Sequence, residues 1–206
     1  MRSGLTAREA ALRIVAAVSP QPPLRVPLDT ALGSILAEAV VSPIDVPFRA
    51  NSAMDGYAAR AADVRGATRE SPKRLRVIEH LPAGHLPVKA VEPGTAIRIF
   101  TGAPIPEGAD SVIRQEDTDQ GAETVAIFAD RDCGVNIRPR GEDIRAGTTV
   151  MSPGVELGPA HLGVLASLAV AHPVVHRRPR VAILAVGDEI VGIDQPGHGR
   201  RDGHGV

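Results

Sequence analysis

Apolar positions Ala11, Ile14, Val15 and Val18 recur at helical spacing near the start of the chain and form one stripe. Thr6-Ala-Arg-Glu9, just before them, reads as a capping box, and Ser19-Pro20-Gln-Pro-Pro23 stops the helix. A lone helix of that length is marginal in water, so the stripe calls for a partner. A shorter helical pattern surrounds Ala31, Leu32 and Ile35, and a strand follows through Val40 and Val41. From Pro47 to Gly141 the pattern changes to short β-like runs separated by Gly and Pro. The clearest are Leu75-Arg-Val-Ile78, Ala96-Ile-Arg-Ile-Phe100, Ser111-Val-Ile-Arg114 and Thr124-Val-Ala-Ile-Phe128. Regular short strands with frequent turns predict a small barrel or sandwich.

Beyond Gly141 the texture changes again. Thr148-Thr-Val-Met151 and Val155-Glu-Leu157 predict a hairpin about Ser152-Pro-Gly154. Pro159 suits the first turn of a helix that carries Leu162, Leu165, Leu168 and Ala169 on one face. Val174-Val175 and Arg180 to Val186 read as strands. The second is a nearly continuous apolar run, as expected of a parallel strand covered on both faces. It runs into Gly187-Asp188-Glu189, and α/β sheets place ligands at such strand ends. Residues 192–206 are Gly-rich, with His198 and His204 and no further strand, and are expected to be a disordered tail. An α/β unit is thus begun and not finished, so a truncated chain or completion by another chain is expected.

Composition narrows the class. An apolar fraction of 43% in 206 residues supports a buried core. Aromatics are 2%, which predicts a core of Val, Leu, Ile and Ala. Twenty-one Gly and eighteen Pro favour short elements over a helical bundle. A formal net charge of −1 without long basic runs argues against nucleic-acid binding. The single Cys133 rules out an internal disulfide framework or a thiolate metal cluster. No apolar run reaches membrane-spanning length, and a soluble cytoplasmic protein is expected.

The stretch from Val46 to Tyr57 looks most like a site. Asn51, Ser52 and Asp55-Gly56 favour turns, and an unpaired carboxylate there could not be buried cheaply. Thr101-Gly102, Glu142-Asp143 and Asp188-Glu189 follow or interrupt apolar runs in the same way. Each has an ordinary reading as a turn or cap, including Asp110. Together, such acidic turns also suit an Mg²⁺-dependent phosphohydrolase.

Four ordered motifs carry a resemblance. Asn51-Ser-Ala-Met-Asp-Gly-Tyr57, Thr101-Gly-Ala-Pro104 with Pro106-Glu-Gly-Ala-Asp110, Arg140-Gly-Glu-Asp-Ile144, and Arg178-Pro-Arg-Val181 with Gly187-Asp-Glu189 resemble those of molybdopterin molybdenumtransferases. That family includes the enzymatic domain of gephyrin, and the resemblance spans about residues 5 to 191. It implies a mixed α+β, multi-domain chain. Residues 24–46 and 144–177 would form a central α+β domain, carrying residues 47–143 as an inserted β-barrel-like domain. Residues 178–191 would begin an incomplete α/β, pterin-binding domain, with the helix within residues 5–19 packed on it.

The implied reaction inserts molybdate into adenylylated molybdopterin with Mg²⁺, releasing AMP. By position, Asp55, Thr101, Asp143 and Glu189 would be catalytic. Ser52, Gly187 and Asp188 would bind the pterin or nucleotide, and Glu189 with Asp188 would hold the metal. A homodimer is implied, with Asp55, Thr101 and Asp143 facing the other protomer, and molybdopterin adenylyltransferase as upstream partner. The chain departs from the family at Ala185-Val186, where Ser-Thr is usual, and at Arg49, often acidic in relatives. The alternative is a non-catalytic dimerisation or scaffold fragment lacking the substrate domain.

Overall fold

The fold follows from one strand that must be buried on both sides and both faces. The computed structural model describes residues 4–182 and residue 184. In chain order the elements are α1 (Ala7–Ala17), β1 (Pro23–Arg25), β2 (Val40–Val41), β3 (Asn51–Ser52), β4 (Gly56–Ala59), α2 (Ala61–Val64), β5 (Lys73–Leu81), β6 (Thr95–Ile99), β7 (Ser111–Arg114), β8 (Thr124–Ile127), β9 (Ile137–Arg138), β10 (Thr149–Met151), α3 (Pro159–Ser167) and β11 (Val174–His176). Pro23–His176 form one compact unit, and the described residues on either side of it belong to a second.

The main sheet has the order β7-β4-β6-β5-β8, antiparallel except for the parallel β5–β6 pair. Successive side chains point to opposite faces. Tyr57, Ala59, Ala96 and Ile113 therefore enter one cluster with Leu75, Val125 and Ile127. Ala58, Ile97, Ile99 and Val112 enter another with Leu81, Val91 and Ala103. The chain just past β7 bonds to the opposite edge: Thr118 bridges Ile127, and the Phe128 N–H donates to the Asp117 carbonyl at 2.8 Å. That reach curls the sheet towards a half-barrel.

A third cluster gathers Ala31, Leu36 and Val40 with Met151, Leu157, Leu165, Leu168 and Val175. It joins β1 to β11 and β2 to β10, and α3 lies over it with Pro159 in its first turn.

Several expectations are corrected here. The pattern around Ala31 to Ile35 forms no α-helix: a 3₁₀ turn covers Leu28–Thr30, and Ile35 and Leu36 bridge to Glu156 and Val175. Bonds to residues 155–157 and the bridge to Val175 satisfy the backbone of residues 33–36 in place of a helical ladder. The predicted hairpin about Pro153 does not close on itself, because β10 pairs with β2 and residues 155–157 bond to residues 34–36. The core is not purely aliphatic: Tyr57 is 1% exposed, and its hydroxyl donates to the Gly121 carbonyl.

In the other unit, α1 carries the predicted capping box, with Thr6 and Glu9 bonding each other's backbone N–H. Its apolar stripe is exposed, Ile14 by 64% and Val15 by 71%. Of the strand predicted from Arg180 to Val186, Arg180–Ala182 and Leu184 are described and lie in no strand, and the other three positions lie outside the described residues. The tail, 192–206, lies outside them entirely.

Two groups fix the sheet most tightly. Gly56, in the interior strand β4, faces the Ile113 carbonyl so closely that an added Cβ would lie 1.9 Å from its oxygen. At the β7 edge, Asp132 is 1% exposed and accepts a forked pair from Arg114 Nε and Nη2, both at 2.9 Å, plus the Arg114 N–H at 3.0 Å. Burial pushes the Asp132 carboxyl up, but the Arg114 side chain and main chain outweigh it and hold it below its ordinary value.

Gly56→Ala should destabilise the unit by at least about 1–3 kcal/mol, the cost of forcing backbone apart, measured by urea unfolding. For Asp132 the lowered pKa means that its contribution is present above the unfolded Asp value, about 3.9, and is lost as pH falls through the folded value. Acid titration of stability should show this loss, and Asp132→Asn should flatten it while lowering stability at neutral pH.

Candidate functional site

Asp55 sits at the mouth of β4, held there by turn chemistry on one side and sheet register on the other. Ser52 is fully buried. Its hydroxyl donates to the Met54 carbonyl and accepts the Met54 N–H at 3.2 Å, bending the chain sharply between β3 and β4. Gly56 pairs with Ile99, so Asp55 arrives beside the turn that follows β6. There Gly102 takes φ +85°, the left-handed conformation that glycine adopts without strain. The turn is stitched to β3 by the Gly102 N–H to the Ser52 carbonyl at 2.8 Å and the Ser52 N–H to the Ala103 carbonyl at 2.9 Å.

The outcome is a direct pairing of two predicted site residues. Asp55 Oδ1 accepts both the Thr101 N–H and the Thr101 hydroxyl, each at 2.8 Å. These bonds, main chain first, hold the Asp55 carboxyl below its ordinary value; burial opposes them weakly, and the field of Arg98 adds to them. Arg98 and Gln115 complete the surroundings. The Arg98 guanidinium carbon lies 4.9 Å from the Tyr57 ring centre and 5.2 Å from that of Phe100. Its Nη2 donates to Gln115 Oε1, and the Gln115 N–H donates to the Asp55 carbonyl at 3.0 Å. Sequence reasoning missed both residues. The available signal was a charge in the apolar run Ala96-Ile-Arg-Ile-Phe100, on the same face as Ala96.

Asp143 is placed differently. It is exposed, and its Oδ2 accepts Arg138 Nη2 at 2.6 Å, while Glu142 takes Arg138 Nε at 2.7 Å. Arg138 pairs across the β3–β9 ladder with Asn51, so Asp143 reaches the Asn51–Ser52 segment through an intermediary. The same motif is anchored by Arg140 and the Ala146 N–H, which both bond Asp45. Asp110 accepts the Ala61 N–H at 2.6 Å at the start of α2, the capping role that its ordinary reading describes. Gly187, Asp188 and Glu189 lie outside the described residues.

A groove of about 160 Å³ opens next to Thr101, between Pro47–Asn51, residues 84–86 and Gly102–Pro104. Asn51 lines it, and the Asn51 Oδ1 atom is buried without a hydrogen-bond partner among the described residues. Among the described residues, no three His, Cys, Asp or Glu side chains gather to hold a metal ion. No described helix is long and apolar enough to cross a membrane.

Comparison with known proteins gives a consistent result. The family described as "MoeA N-terminal region (domain I and II)" matches residues 5–169. The chain is 44% identical over 174 residues to "Molybdopterin molybdenumtransferase 2" of Mycobacterium tuberculosis, covering 84% of this chain and 43% of that protein. It is 43% identical over 171 residues to the "Molybdopterin molybdenumtransferase" of a Nostoc species, covering 83% and 39%. The Staphylococcus aureus protein of the same name is 35% identical over 193 residues, covering 94% and 46%. Among solved structures, the molybdopterin biosynthesis moeA protein from Pyrococcus horikoshii OT3 superposes with a TM-score of 0.74 at 35% identity, over 82% of this chain and 45% of that one. The chain thus spans less than half the length of these relatives. With four fifths of its residues matched by that family and its fold shared with a solved member, the chain belongs to the MoeA family, over that family's N-terminal region.

Proposed function

We propose that this chain serves molybdenum cofactor biosynthesis as part of a molybdopterin molybdenumtransferase, inserting molybdate into adenylylated molybdopterin with release of AMP. The observation that carries the reading is the Asp55 carboxylate, doubly held by Thr101 at the position that the family resemblance marks as catalytic. A carboxyl kept below its ordinary value is ionised at neutral pH, so Asp55 is an acceptor and not a general acid. Thr101 occupies Oδ1, which leaves Oδ2 to meet a substrate N–H or O–H and to take up a proton released there. Asp143, paired with Arg138, is read as a second acidic group that substrate can meet.

Asp188 and Glu189 supply the oxygen donors that Mg²⁺ prefers, and the ion would neutralise charge on the departing phosphate. The active assembly is read as a homodimer. The adenylylated substrate comes from molybdopterin adenylyltransferase.

In a protein carrying this chain at the family's full length, Asp55→Asn should lower AMP release by about 10²-fold or more. Turnover equal to wild type would sink the reading. Thr101→Val keeps the main-chain N–H and loses only the hydroxyl bond, so its loss of turnover should be smaller. The sign of its pH effect is set by the lowered Asp55: activity needing the ionised form is retained above the Asp55 value and fades as pH falls through it. Removing one of the bonds that lower it should therefore move the acid limb of the pH–rate profile upward.

A further inference from the structure

Arg98 stands on the sheet face that carries Tyr57 and Ala96, directly opposite Tyr57 in the β4–β6 register. Its guanidinium lies against two aromatic rings and is tied through Nη2 to a neutral amide, that of Gln115. Nη1 is buried and has no hydrogen-bond partner among the described residues. A cation placed this way gives up hydration without a carboxylate in contact, which is costly unless the charge acts elsewhere. Two contacts lead from it towards Asp55. The Gln115 N–H bonds the main-chain carbonyl of Asp55, and Phe100, which covers the cation, immediately precedes Thr101.

We propose that Arg98 is the positioning residue of Asp55: its stacked guanidinium, linked through Gln115 to the Asp55 main-chain carbonyl, holds the residue in place from behind and puts a positive charge at its back. The functional meaning of this rests on Asp55 being the site carboxylate, as read above. Thr101 acts on the carboxyl through two hydrogen bonds and Arg98 through its charge, while Tyr57 and His80 are the titratable groups flanking Arg98 on the neighbouring strands. A scaffolding role alone would require only that the arginine fill space over Tyr57, and any long side chain would then serve.

The experiment is an NMR pH titration of the 206-residue chain that follows the Asp55 carboxyl carbon and the Thr101 amide. In Arg98→Gln, which stays polar and loses the charge, the Asp55 midpoint should move upward. In Arg98→Lys, which keeps the charge, it should stay close to wild type. An unmoved midpoint in Arg98→Gln, or equal movement in both variants, overturns the proposal. If Arg98→Gln does not fold, the wild-type chain decides alone: the Arg98 Nη signals should shift with the Asp55 midpoint, and their indifference to it overturns the proposal. The outcomes are separable from those of the transferase reading. An active Asp55→Asn enzyme would remove that reading and leave the Arg98–Asp55 coupling standing, whereas an unmoved midpoint would remove the coupling and leave the transferase reading intact.

Discussion

The close approach of Gly56 to the Ile113 carbonyl is the constraint on which the site depends. β4 is bonded on both edges and buried on both faces, and at its first residue there is no room for a side chain. This allows the strand to start immediately after Asp55, with its carboxylate still outside the sheet. The same register sets Gly56 against Ile99, so the turn after β6 can deliver Thr101 to Asp55. Two residues far apart in the chain become hydrogen-bonded because one glycine permits the ladder to close. Function on such a scaffold resides in what the strand mouths present, not in the fold as such.

Much of this was legible in the sequence wherever local physics decides. The capping box at Thr6, Pro159 opening α3, and the four apolar runs that became β5 to β8 are all read from spacing and turn chemistry. Reading failed where long-range pairing overrides the local pattern. Gly56-Tyr-Ala-Ala59 is short and, Tyr57 apart, made of small residues, yet it is an interior strand, because burial on both faces removes the alternation that marks a half-exposed strand. Residues 31 to 36 looked helical but pair with residues more than a hundred positions away. Of the site, Asp55 and Thr101 were visible as turn residues, and their resemblance to a family's motifs identified them. Arg98 and Gln115 were not: a charge within an apolar run was the one local sign of Arg98, and its ring stack and its bond to Gln115 come only from pairing across the sheet.

The curl of the sheet links its core to this site. Tyr57 fills the concave side, and its hydroxyl is satisfied by Gly121 from the loop that leads into β8. One face of the same ring supports Arg98. The packing that closes the half-barrel and the electrostatics at Asp55 thus share a side chain, and loosening of the core there is felt as a change of potential at the mouth of β4.

Asp55 and Asp143 are prepared in opposite ways. Asp55 is held through Oδ1 by the two Thr101 hydrogen bonds, no cation among the described residues touches it, and its outer oxygen is left to meet a ligand. Asp143 is compensated by direct contact with Arg138, which it shares with Glu142 on an exposed surface. An exposed pair of that kind contributes little, on the order of 0–1 kcal/mol, and is easily exchanged for another partner. Asp55 therefore offers a fixed acceptor whose geometry is set before any substrate arrives, while Asp143 can release Arg138 as one approaches. The two also stand apart along the chain's pairing: β3 and β9 are antiparallel, so Asp55, past β3, and Asp143, past β9 and bonded through its N–H to the Val46 carbonyl at 2.9 Å, leave that ladder at opposite ends.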